Sequence, residues 1–137
     1  MKHKILVVAA HYYKNISKNL LYDAKLTFDK SKVKYKIIDV PGVFEIPSVI
    51  SKNIKKYDGF VALGCVIKGE TPHFNFISKT TIEAIMKLSV VSKKPVGNGI
   101  LTCINIDQAN VRSDPRGTKR KGKEAAEAML SVLGFKI

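Results

Sequence analysis

Three short segments collect side chains suited to chemistry: His11-Tyr12-Tyr13, the run from Pro41 to Pro47, and the run from Lys68 to His73. In the third, Gly69 permits a tight turn, Pro72 suits the first position of a helix and Thr71 suits its N-cap. Free N–H groups at such a helix start, with a threonine hydroxyl beside them, form an anion site; a plain capped helix fits the same letters. His73 follows within a turn, and an imidazole, which titrates near roughly pH 6.5, can take and return a proton. An ordinary surface histidine is the alternative. His3 and His11 lack such a turn. In the second segment two prolines bracket Phe44-Glu45-Ile46 and stiffen a turn that presents a ring and a carboxylate in a fixed pose. Glu45 can accept hydrogen bonds from a hydroxyl-rich ligand, or it can face the dipole of its own helix.

The elements that must carry these segments are legible from periodicity. Four runs rich in Val and Ile, 5–9, 33–40, 59–67 and 96–103, alternate with stretches of helical period. Ile16, Leu20, Ala24 and Phe28 mark one helix face. Residues 44–56 read as a second helix, and Phe74, Ile77, Thr81, Ile85 and Leu88 give a third its stripe. A short helix over 106–112, a breaker-rich link over 113–117 and a last helix over 122–133 complete the chain. Alternating strands and helices with crossover-length gaps predict one α/β domain over 1–137, with a parallel sheet and helices on both faces. Ligands then bind beyond the carboxyl ends of the strands, where all three segments fall.

Composition narrows the function classes. With 137 residues, 45% of them hydrophobic, the chain can fold without staples, and Cys65 and Cys103 read as free thiols in a reducing cytoplasm. The longest apolar stretch, 59–67, is far short of the roughly 20 residues that span a bilayer. The net charge of +13 points at face value to an anionic partner such as nucleic acid. Most of that excess is lysine scattered along the chain, whereas Arg112, Arg116 and Arg120 lie close together. The cluster from Arg116 to Lys123 holds five basic residues in eight but carries no aromatic platform, which weakens a nucleic-acid reading. Phosphate-loop, dinucleotide, zincin and nucleophile-elbow motifs are absent.

The segments, taken in order, resemble the lumazine synthase family nearly end to end. The run from Val40 to Pro47 is similar to the family's VPGAFEIP, and the run from Leu63 to His73 to its LGxVIRGxTxH, with Lys68 in place of arginine. Asn98-Gly99-Ile100-Leu101-Thr102 resembles NGxLT, Asp107-Gln108-Ala109 with Arg112 resembles EQAxxR, and Lys121-Gly122 with Glu124-Ala125-Ala126 resembles KGxEAA. His11 stands where the family usually has arginine, and Tyr13 where asparagine is common.

The resemblance implies a flavodoxin-like three-layer sandwich with a four-stranded parallel sheet. It further implies condensation of 5-amino-6-(D-ribitylamino)uracil with 3,4-dihydroxy-2-butanone 4-phosphate, without metal or organic cofactor, membrane or nucleic acid. His73 is then the proton shuttle and Tyr12 stacks on the pyrimidine. Phe44 and Glu45 hold the ribityl chain, Val66, Ile67 and the backbone near Asn98, Gly99 and Ile100 line the ring pocket, and Val43, Ile46 and Cys65 are further substrate-binding positions. Glu70 and Thr71 hold phosphate, Arg112 from a neighbouring subunit completes that cradle, and Lys121 adds charge. The implied assembly is a homopentamer with sites between subunits, and an icosahedral capsid is the alternative. The link over 113–120 is longer than in capsid-forming members and contains Pro115. A relative that binds lumazine without turnover is a further reading, which His73, Thr71 and Arg112 argue against.

Overall fold

The runs rich in β-branched residues form one all-parallel sheet in the computed structural model, which describes residues 3–69 and 72–137. The strands are β1 (Lys4–Ala10), β2 (Lys34–Val40), β3 (Gly59–Ile67) and β4 (Val96–Cys103), in the order β2-β1-β3-β4. β1 and β3 are central and covered on both faces, which explains their unbroken apolar sequence. The crossovers are α1 (Lys14–Lys30), α2 (Ile46–Lys52) and α3 (His73–Ser92), and α4 (Ile106–Ser113) and α5 (Lys121–Leu133) follow β4.

Strand alternation divides the core. Ile5, Val7 and Ala9 of β1 pack with Ile16, Leu20, Ala24 and Phe28 of α1 and with Ala125, Ala126, Met129 and Leu130 of α5. Leu6, Val8 and Ala10 point the other way and pack with Ile46 and Ile50 of α2 and Ile85 of α3. The product is the α/β sandwich with helices on both faces that the residue pattern predicts, and the flavodoxin-like three-layer form that the resemblance implies.

Two local expectations change. The helix expected over 44–56 divides into a 3-10 turn, Val43–Glu45, and the short α2, which stops at Lys52. Asn53 ends it: its side-chain amide donates to the Val49 carbonyl at 2.8 Å and its backbone N–H reaches both Val49 and Ile50. Pro72, expected as the first helical residue, instead flanks α3, and its carbonyl accepts from the N–H groups of Asn75 and Phe76. The expected cap, Thr71, and its neighbour Glu70 lie outside the described residues.

The basic run before α5 also has a structural task. Asp23 is fully buried within α1, and Arg120 Nη2 donates to its Oδ1 at 2.8 Å, which raises the guanidinium pKa further. Arg120 takes a left-handed backbone, φ 40°, to start α5 there. Two residues on, α5 crosses α1 so closely that a Cβ at Gly122 would lie 2.2 Å from the Leu20 carbonyl oxygen.

Candidate active site

Beyond the carboxyl ends of β1, β2 and β3 the rim segments enclose a cleft of about 370 Å³. Tyr12 and Tyr13 form one wall, Gly42, Val43 and Phe44 a second, Cys65, Val66 and Ile67 the floor, and Gly69, His73, Phe74 and Ile77 a third wall. Two rings are open to solvent in the single chain: Tyr12 is 76% exposed and Phe44 60%. Tyr12 and Tyr13 meet edge to face at 5.0 Å between centroids.

The Phe44 wall is fixed from within and from below. Glu45 Oε1 accepts from the Gly42 N–H at 3.0 Å while the Glu45 N–H donates to the Gly42 carbonyl at 3.2 Å, a reciprocal clasp across the 3-10 turn. Underneath, β3 provides Gly64, where a Cβ would meet Val43 Cγ1 at 2.6 Å and Ala10 Cβ at 3.1 Å. Any larger residue would push the turn off the sheet. Glu45 itself faces an adjoining groove of about 340 Å³ between α2 and α3, shared with Phe44, Ser48, Thr80 and Thr81. An aromatic ring thus stands between the cleft and a groove lined with hydroxyls and a carboxylate.

The floor of the cleft is chemically quiet. Burial pushes the Cys65 thiol up to about 12, helped by the adjacent Cys103, so it stays protonated at neutral pH. Burial also raises the Tyr13 phenol, with smaller contributions from Cys65 and Tyr12. His73, at the first position of α3, brings an imidazole into the same cleft.

Arg112 and Lys121 do not join this cleft within one chain. They line a separate pocket of about 240 Å³ along edge strand β4, with Ile100, Leu101, Thr102, Cys103, Lys119 and Glu124. Arg112 Nη1 donates to the Gln108 carbonyl at 3.3 Å, and Lys121 Nζ pairs with Glu124 at 3.1 Å. Three cations against one carboxylate make the pocket fit for an oxyanion.

The remaining expected residues fall in different places. Ile46 is fully buried beneath the turn, in the same core cluster as Val43. Gly99 is buried against Leu63 and Ala125, too tightly for a Cβ. Asn98 is exposed on β4, and its Oδ1 accepts from the Ile100 N–H at 3.0 Å. The sequence reading passed over Lys119, although its place in the basic run marked it, and gave little weight to His11.

The model of the 6,7-dimethyl-8-ribityllumazine synthase family matches residues 2–136. The chain belongs to this family. It is 46% identical to the 6,7-dimethyl-8-ribityllumazine synthase of Bartonella bacilliformis, across 96% of this chain and 89% of that protein. The Bartonella tribocorum and Agrobacterium fabrum enzymes are 43% and 41% identical, each across 98% of this chain and 91% and 95% of their own lengths. As a member of the lumazine synthase family the chain is an enzyme, a transferase of riboflavin biosynthesis.

Proposed function

We propose that the chain condenses 5-amino-6-(D-ribitylamino)uracil with 3,4-dihydroxy-2-butanone 4-phosphate to give 6,7-dimethyl-8-ribityllumazine, phosphate and water. The observation that carries this reading is the convergence of Tyr12, Phe44 and His73, from three separate rim segments, on one cleft in a chain of this family. The pyrimidine stacks on Tyr12 over the apolar floor, and the ribityl chain passes Phe44 toward Glu45. One lone pair of the Glu45 carboxylate is held by Gly42, and the others accept from ribityl hydroxyls. His73 carries protons as the amine adds to the ketone, as phosphate leaves and as the ring closes with loss of water. Holding two reactants with their atoms aligned supplies much of the rate.

The phosphate binds where Arg112, Lys119 and Lys121 gather. That pocket lies apart from the His73 cleft of its own chain, so the complete site forms between subunits of a homopentamer, with Arg112 of one facing the cleft of the next. A second feature supports assembly: α3 buries only Thr81 and Ile85 fully, while Phe76, Met86, Val90 and Val91 are each more than 60% exposed. Such a face is characteristic of a subunit contact. Mixing the purified protein with both substrates and following the absorbance and fluorescence of the lumazine tests the reaction. Product should appear at a rate well above the spontaneous condensation, and folded protein that adds nothing to that background overturns the proposal.

A further inference from the structure

We propose that His11 is a positioning residue for this site, bolting the Tyr12 wall of the cleft to the strand end from which the Phe44 wall departs. The inference rests on the reaction proposed above. His11 is fastened at three points. Its backbone N–H donates to the Val40 carbonyl at 3.1 Å, its Nε2 meets Asp39 Oδ1 at 2.5 Å, and its Nδ1 meets Ser17 Oγ at 2.7 Å. Asp39 and Val40 are the last residues of β2, immediately before the Pro41-Gly42 turn, and Ser17 lies in the first turn of α1. One ring therefore ties together β2, α1 and the loop that carries Tyr12.

The trio of serine, histidine and carboxylate is not a hydrolytic centre. Ser17 is only 1% exposed, out of reach of a substrate carbonyl, and its Oγ also lies 3.1 Å from the Lys14 carbonyl. The hydroxyl serves as a rotor instead. It donates to Lys14 when both ring nitrogens carry protons, and to Nδ1 when the ring is neutral. In either state the Nε2–H remains on Asp39, so the bolt holds. Asp39 is two-thirds exposed, so the pair adds little to global stability. Its loss acts on the placement of Tyr12 and hence on binding of the ring that Tyr12 stacks against.

The test compares wild type with His11→Ala, Asp39→Ala, the double variant and His11→Gln, whose amide can donate to Asp39 and accept from Ser17. Steady-state kinetics with both substrates should show the KM for the ribitylaminouracil raised about tenfold in His11→Ala, with kcat changed by less than about twofold. Asp39→Ala should match it, the double variant should be no worse than either single, and His11→Gln should return KM to within about threefold of wild type. Hydrogen exchange at the amides of 11–16 should speed up in His11→Ala while thermal stability stays within a few degrees of wild type. Unchanged KM and exchange in a folded His11→Ala overturn the assignment, as does a fall in kcat alone or a His11→Gln variant as impaired as His11→Ala. A wild-type chain that makes no lumazine would instead overturn the proposed reaction, while the exchange comparison would still report on the bolt.

Discussion

A thiol at the floor of a substrate cleft invites a nucleophilic role, which the environment of Cys65 denies. Its pKa is raised to about 12, first by burial and then by Cys103, so the unfolded chain loses that proton at lower pH than the folded chain does. The unfolded state then binds fewer protons, and stability falls as pH rises from the ordinary thiol value toward about 12. Urea melts of wild type and Cys65→Ala should therefore diverge in slope between roughly pH 9 and 11, with the variant losing less stability per pH unit. Folded wild type should also resist alkylation at pH 8. His73 and Arg112 separate by chemistry: proximity of the two substrates still operates in His73→Ala, which should keep measurable turnover, roughly 1–10% of wild type. Arg112→Ala removes the guanidinium proposed to hold the phosphate and should remove most activity. Near-complete activity in either purified variant would contradict its role. The positions of His73 and Phe44 were legible in the sequence because the rim rule brings strand ends together. The partners of His11 were not, because Asp39 lies 28 residues away and nothing in a histidine's immediate neighbours reports such a contact.

At the scale of elements, the docking of α5 on α1 decides how the Arg112 pocket is presented, since Lys121 and Glu124 of α5 line it. Gly122→Ala gains helix propensity but drives a methyl group into the Leu20 carbonyl oxygen, 2.2 Å from the Cβ position, and that oxygen belongs to helix backbone that cannot swing aside. The two helices must separate, with an expected net loss of about 2 kcal/mol in chemical denaturation. Arg120→Ala should cost about 3 kcal/mol, because it leaves the carboxylate of the fully buried Asp23 without its cation. A loss below about 1 kcal/mol would show that water reaches Asp23. Here the sequence misled in an instructive way. The run from Arg116 to Lys123 looks like one basic patch, yet Arg116 turns to Asp114, Arg120 to Asp23, and Lys119 and Lys121 to the Arg112 pocket. Charge runs show composition, while each cation goes to its own partner, and that of Arg120 is a buried aspartate 97 residues away. The same limit shortened the second helix: apolar period extends past Lys52, but the Asn53 side chain closes the helix before the period ends.

For the whole molecule, the diffuse lysines behind the +13 charge leave the active-site question to geometry. A single chain presents two separate pockets, the His73 cleft at the strand ends and the Arg112 pocket along edge strand β4. Light scattering should find a particle of about five 15.2 kDa chains, and a megadalton particle would favour the shell. Mass alone, however, does not say whether chains share sites. Co-expression of His73→Ala and Arg112→Ala chains under different tags, followed by isolation of mixed particles, does. In a ring where each site takes His73 from one chain and Arg112 from the next, random mixing restores both groups to about a quarter of the sites. Turnover of mixed particles should then rise well above the mean of the two variants measured separately. If each chain houses its own complete site, mixing creates no intact site and activity stays at that mean. The two outcomes differ even if His73→Ala keeps substantial residual activity, because its contribution is already contained in the mean. Recovery would therefore establish that the gap between cleft and basic pocket in one chain is closed by its neighbour.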